Sequence, residues 1–279
     1  MASIALLLAL LAAVLHATWN FILKDSTDRL ATVVAIGFVG FLIYAPWIYL
    51  VEGFPSGVGW HLAASSVVHV LYFAALVAAY NHADFSVAYP VARGAAPALV
   101  ALGGFLFLGD RIGPAELGAI ALIVAAIVWI SWTPGKSLDG AGVRWAMLTG
   151  LAISVYTVVD AAGVRSSGKA LAYSVTLAGL SAIGLVMLAL RTRSLAEVVA
   201  PLRQRPAAVT VAAALNIGAY ALVLFAATRA PVALVSAVRE TSVVFGALAG
   251  VLLLHEPFAR RRLAGAAAVA VGIVGLGLL

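Results

Sequence analysis

Two stretches decide the fold: ALVAAYNHADFSVAYPVAR, residues 75–93, and ALVLFAATRAPVALVSAVR, residues 221–239. At an offset of 146 residues, Ala75-Leu76-Val77 falls on Ala221-Leu222-Val223 and Arg93 falls on Arg239. The register continues outward, with Gly104 on Gly250, Leu108 on Leu254 and Asp110 on Glu256. Chance readily aligns alanines and leucines. It is a poor explanation for an arginine inside an apolar run, a glycine and a helix-ending acid falling in one register. The chain therefore reads as an internal repeat.

The solvent around the repeat follows from composition. Apolar residues make up 64% of the 279-residue chain and charged residues 10%, against about 25% charged in soluble domains. A soluble interior of this size cannot hide so much apolar surface, whereas lipid suits it. Ten runs approach the roughly 20 apolar residues that cross a bilayer: 2–23, 30–51, 60–81, 85–109, 114–133, 142–162, 169–190, 206–227, 231–254 and 262–279. Short polar or Gly/Pro punctuation separates them, the longest being RTRSLAEVVAPLRQRP. Segment 191–205 is too short to fold alone, and no run alternates as a barrel strand does. The first run resembles a signal peptide, but it lacks a basic n-region and is long enough to span, so it is expected to be an uncleaved helix.

The offset sets spans 1–5, residues 1–134, against spans 6–10, residues 141–279. Five is odd, so the second half must enter from the opposite side of the membrane. The expected fold is all-α and integral to the membrane, with ten transmembrane helices in two inverted five-helix repeats around a central cavity. Secondary transporters commonly use this plan and bind substrate near the midplane between the halves.

Charge orients the chain. On one side lie Lys24, Arg29, Lys136, Arg144, Arg191, Arg193, Arg203, Arg205, Arg260, Arg261 and Arg262. The side with the termini carries Arg111, Arg165, Lys169 and Arg229. The positive-inside rule then places both termini outside the cytoplasm. The net charge of +6 is spread between apolar runs, which argues against nucleic acid as a partner. Arg outnumbers Lys and alanine is abundant, which points to a GC-rich bacterium and so to its inner membrane. There are no cysteines, hence neither disulfides nor thiolate metal sites.

The residues also carry a resemblance. LHATWNFILKDS in span 1 and YFAALVAAYNHADFSVAYPVARGAAPALVALGGFLFLGDRIGPAELGAIALIVAAIVWI resemble the EamA-type members of the drug/metabolite transporter superfamily. LLLHEPFARRRLAGAAAVAVGIVGL repeats that pattern in the second half. The resemblance covers essentially the whole chain. It implies ten helices, a cavity lined mainly by helices 1, 3, 4, 6, 8 and 9, alternating access, and export or exchange of small metabolites. Two departures stand out: Asp110 replaces the usual Glu at the end of helix 4, and many relatives are thought to keep both termini in the cytoplasm.

Candidate transport residues are the polar groups inside spans. Arg93 lies about 8 residues into span 4, some 12 Å deep at 1.5 Å per residue, and Arg239 is equally deep from the other face. Such charges are costly and face a cavity or a partner. Each arginine either acts in transport or locks helices, and the two roles are compatible. Glu240 adjoins Arg239, but helix neighbours point about 100° apart, so another partner is expected, and inversion makes it Arg93. A substrate carboxylate is the alternative partner of either arginine. His16 and Asn20 share one face of span 1 beside Trp19, and His16 reads as a hydrogen-bonding element before a proton relay. Tyr156 is the counterpart of Trp19, and Asn216 and Tyr220 repeat the four-residue spacing in span 8. Pro90 and Pro97 weaken the helix of span 4 and are candidate gating residues. Tyr80 and Tyr89 read as interface anchors, Gly246 and Gly250 as a packing pair. Asp160 reads as a solvated helix end before a proton carrier.

Other signals fail. GVRSSGK, residues 163–169, lacks the following Ser or Thr of a phosphate loop and joins two spans. His255-Glu256 lacks the second histidine of a zinc protease, and the five histidines show no metal spacing. No cofactor, metal or catalytic residue is expected, and the chain does not read as an enzyme. The expected function is a secondary transporter of small polar or amphipathic metabolites such as amino acids, with a lipid or lipid-linked sugar translocator as the alternative and a membrane enzyme behind both. Its expected partners are a small-molecule substrate and the lipid bilayer, with the chain acting as a monomer or a homodimer.

Overall fold

A computed structural model describes residues 2–24, 26–82, 85–131, 140–242, 244–245 and 259–278. Among these, eleven α-helices follow one another and no strand occurs. They are α1 (Ala2–Lys24), α2 (Arg29–Glu52), α3 (Gly59–His82), α4 (Phe85–Gly103), α5 (Pro114–Ser131), α6 (Gly140–Ser167), α7 (Ala170–Ala189), α8 (Leu195–Gln204), α9 (Pro206–Ala227), α10 (Val232–Glu240) and α11 (Ala259–Leu278). Six of them, α1, α2, α3, α6, α7 and α9, contain windows long and apolar enough to cross a membrane. Shorter apolar segments lie at Ala96–Leu108, Pro114–Trp129 and Leu263–Leu276. The expected ninth span begins in α10, and its remainder beyond residue 245 lies outside the described residues, as do Gly246, Gly250 and Glu256 of the repeat.

The apolar side chains face outward, as lipid solvation requires. Leu42, Trp47, Leu50, Val51 and Phe107 are all more than two-thirds exposed. In water such a surface would be an aggregation liability. Inside, small residues at several contacts let helices approach closely. A Cβ on Gly37 would lie 2.9 Å from Ala182, and one on Gly179 would lie 2.6 Å from the Phe41 ring, so α2 and α7 pack nearly backbone to backbone.

The helix pairs follow a pattern. α1 packs on α9, and α3 packs on α6. α2 touches α9, and α3 touches α7. α2 meets α7, α4 meets α10, and α5 meets α11.

Helix ends carry the expected chemistry. Asp28 caps α2, accepting the Ala31 N–H at 3.1 Å, and pairs with Arg193 at 2.5 Å. Partial burial pushes the Asp28 carboxyl up, but the Arg193 hydrogen bond and the Ala31 N–H outweigh it and hold the group below its ordinary value. Glu52 accepts the Ala172 N–H near the start of α7 at 2.9 Å. Helix α4 runs on into a π-helical turn, Gly104–Leu108, which ends at Gly109 with φ 69°.

Two expectations are corrected. Segment 191–205, expected to be a connecting loop, contains the amphipathic helix α8. Ser194 and Glu197 form a full capping box there, the S-x-x-E pattern that marks a helix start. Span 6, expected to end at 162, continues to Ser167. The polar run Arg165-Ser166-Ser167 is the last turn of the helix, which stops at Gly168 with φ 67°.

Candidate functional site

Three helices bring the first cluster together. α4 carries Arg93, α10 ends on Arg239 and Glu240, and α1 carries His16. Glu240 is fully buried, and Arg93 and Arg239 are 8% and 4% exposed. Arg93 Nη1 donates to Glu240 Oε2 at 2.7 Å. Arg239 donates to Oε1 from Nη2 at 2.9 Å and from Nε at 3.3 Å. One carboxylate thus serves two guanidiniums.

The Arg93–Glu240 contact is the expected one, with its partners 147 positions apart. The Arg239–Glu240 contact corrects the expectation that adjacent residues do not meet. Cβ vectors about 100° apart keep short side chains separate, but a guanidinium on a long flexible stem folds back onto its neighbour's carboxylate. The backbone is irregular at the same point. α10 ends at Glu240, and Thr241 N–H bonds Val238 O at 3.1 Å while Val244 N–H bonds Thr241 O at 2.8 Å, both tight i to i−3 contacts. Across from it, Pro97 is buried in α4. It has no N–H, so the carbonyl of Arg93 lacks its usual donor four residues on. Helix α4 nevertheless continues through Pro90 and Pro97. The side chains of Pro90, Tyr80 and Tyr89 lie outside the described residues.

His16 links this cluster to α1. Its Nε2 is 3.4 Å from Arg93 Nη2, and its Nδ1 accepts the Trp19 indole N–H at 3.2 Å. A ring nitrogen that accepts from indole is unprotonated, which suits a neighbour that is itself a cation. Asn20 turns its amide to the His16 carbonyl at 2.7 Å, so it secures its own helix.

A second cluster lies on α6, and here the structure corrects the reading of Asp160 as a solvated end. α6 extends beyond it, and the carboxylate is fully buried. Tyr173 on α7 donates to Oδ1 at 2.8 Å, and Tyr220 on α9 donates to Oδ2. Ser65 on α3 stands near the same carboxylate. Ser65 Oγ is 3.2 Å from His69 Nδ1, and the His69 ring stacks on Tyr156 with centroids 4.1 Å apart. Tyr156 packs against Ala96 of α4 as well as the rings of His69 and Tyr72 on α3. Asn216 is half-buried one turn before Tyr220. Ser65, His69 and Tyr173 were missed in the sequence. The four-residue spacing of Ser65 and His69 is the signal that marked His16 and Asn20, and applied to span 3 it finds them.

A third set of contacts fastens one end of the bundle. Arg165 Nη1 pairs with Asp110 at 2.8 Å, and Arg165 also donates to the carbonyls of Ala227 and Ala230. Asp110 in turn accepts the Val232 N–H that opens α10, at 2.7 Å. The helix-ending acid of the first repeat thereby caps the helix that carries Arg239 and Glu240. Among the described residues, no group of three His, Cys, Asp or Glu is placed to hold a metal ion.

Residues 140–278 match the EamA-like transporter family. The chain belongs to that family. As a member of that family it is a multi-pass membrane protein of the drug/metabolite transporter type. A protein of solved crystal structure resembles it over 99% of this chain and 96% of its own length, with a TM-score of 0.78 at 17% identity, which speaks to the fold alone. No curated protein matches the chain.

Proposed function

We propose that this EamA-like protein is a secondary transporter of small carboxylate-bearing metabolites, amino acids foremost, working by alternating access between two inverted five-helix repeats in a bacterial cytoplasmic membrane. The observation that carries the reading is Glu240 held between Arg93 and Arg239 where α4 meets α10. The helix contacts support the repeat. Exchanging spans 1–5 with 6–10 turns α1 on α9 into α6 on α3, and α2 on α9 into α7 on α3. The same exchange leaves the α2–α7, α4–α10 and α5–α11 pairs as they are.

The mechanism follows from charge exchange. A buried guanidinium must keep an anionic partner, because an uncompensated charge costs several kcal/mol. A substrate carboxylate that takes Arg93 from Glu240 leaves the latter on Arg239. The α4–α10 tie is then replaced by a tie to substrate, and the halves are free to rock. Pro97 and the broken end of α10 lie where that movement has to be absorbed. Trp19 and Tyr156 supply apolar faces beside the charges, which suits an amphipathic solute.

The test is uptake of a panel of labelled amino acids into liposomes holding the purified protein, with and without a pH gradient and without ATP. Saturable flux of at least one of them is expected. Absence of flux across the panel, with protein shown to be folded, removes the reading.

A further inference from the structure

Asp160 is a buried carboxylate that the exchange mechanism above does not use. Its surroundings form a built site. Tyrosine hydroxyls from two different helices donate to it, Tyr173 from α7 and Tyr220 from α9, and Ser65 of α3 stands near. Gly163, one turn further along α6, makes room for the Tyr173 ring, which a Cβ there would meet at 2.5 Å. Among the described residues, no lysine or arginine is paired with Asp160, unlike Glu240, Asp110 and Asp28. A carboxylate held by neutral hydroxyls can exist in either protonation state without stranding a cation.

A route leads to it. His61, Ser65 and His69 fall four residues apart on α3, so they form one stripe about 12 Å long. His61 lies in the first turn of α3 and is part-exposed. Its Nδ1 is buried with no hydrogen-bond partner. Beyond Asp160 the stripe continues through His69 to Tyr156. The other ionisable groups near the site are Tyr72 on α3, Arg93 on α4, and Arg239 and Glu240 on α10, the last three engaged with one another.

We infer that Asp160 is the site at which this transporter binds a coupling proton, and that His61 and Ser65 form the path by which the proton arrives. The proton comes from water at the mouth of α3 and ends on a carboxylate oxygen of Asp160. The carboxyl then becomes a donor and gives up at least one hydroxyl bond it had accepted. Because those bonds hold α6 to α7 and α9 within the second half, protonation loosens α6 against its neighbours, α3 of the first half included. Intramembrane acids linked to histidines are a recurring form of proton relay. The coupling role rests on the transport reading above, whereas proton binding does not.

Infrared difference spectra of the purified full-length protein in liposomes test the site without any substrate. On acidification the wild type should show a carboxyl band that Asp160→Asn lacks. Tyr220→Phe should move its midpoint upward by about one pH unit, since the ionised form loses a donor. That second variant carries the test if Asp160→Asn fails to fold. After a pH jump, His61→Ala should slow appearance of the band at least about tenfold with its midpoint unchanged. The same titration in Asp160→Asn as in the wild type, or no shift in Tyr220→Phe, overturns the site, and an unchanged rate in His61→Ala overturns the path. For coupling, Asp160→Asn should lose amino-acid uptake driven by a pH gradient while keeping exchange at zero gradient. Retention of gradient-driven uptake, or loss of both in folded protein, overturns coupling. If the wild type moves no amino acid, the transport reading fails, and the infrared result alone decides whether Asp160 binds the proton.

Discussion

Glu240→Gln is expected to destabilise the folded protein by about 3–5 kcal/mol, the cost of removing one partner from a buried ion pair. Arg93 and Arg239 share that carboxylate, and its side chain has no exposure. The amide of Gln offers one acceptor and no charge, so two guanidiniums would face each other in a site that water does not reach. At an effective dielectric of about 20, two unit charges a few ångström apart repel by about 4 kcal/mol, the same order as the loss. The penalty belongs to the unmatched charge and not to the lost volume, so it should be partly relieved by removing a cation. Arg93→Met/Glu240→Gln should be more stable than Glu240→Gln alone, a non-additivity of at least about 1 kcal/mol. Denaturant unfolding of the purified variants in one detergent measures both. Equal stability of Glu240→Gln and wild type would mean that the three side chains are solvated.

Gly163→Ala carries the second large effect. A Cβ there would sit 2.5 Å from Tyr173 Cε2, 2.8 Å from its hydroxyl and 2.9 Å from Cζ. The ring cannot retreat easily, because it is fully buried in a cluster with Val58, Leu62, Val164, Leu177 and Leu224. Alanine gains about 1 kcal/mol over glycine in helix propensity. Against that stand about 1–3 kcal/mol of overpacking and about 1–3 kcal/mol for the Tyr173 bond to Asp160, should the ring be pushed away. The clash wins, with a net loss of about 1–5 kcal/mol. Gly118→Ala is the matched control, since a Cβ there meets nothing within 4 Å. It should leave stability unchanged or raise it by up to about 1 kcal/mol. Thermal unfolding of the two variants side by side checks the contrast, and equal shifts would show that Tyr173 is not fixed against α6.

Much of the fold is legible in the sequence because lipid imposes a simple rule. Every run from 2–23 to 206–227 was located by length and apolarity, and α7 and α9 lie within a residue of their expected bounds. The errors arise where polar residues serve a helix instead of ending it. Arg165 looks like a loop residue, yet it belongs to the last turn of α6 and reaches Asp110. Ser194 and Glu197 look like loop residues, yet they start α8.

The site was half legible. Rarity marked Arg93, Arg239 and Glu240, since a charge deep in an apolar run needs a reason. Nothing local marked Tyr173, which becomes important only when α7 brings it onto Asp160 beside a glycine. Asp160 reads as a solvated end for the same cause that shortens span 6: its depth depends on where α6 ends.

Flux through the charge-swapped pair tests the central claim most directly. Arg93→Glu/Glu240→Arg keeps two guanidiniums and one carboxylate at the α4–α10 contact and only moves the acid to α4. In liposomes loaded with the amino acid the wild type carries best, Arg93→Gln and Glu240→Gln should each abolish exchange, and the swapped double variant should recover a measurable part of it. If the single variants abolish exchange and the folded swap recovers none, the pair is not the tie that substrate exchanges for.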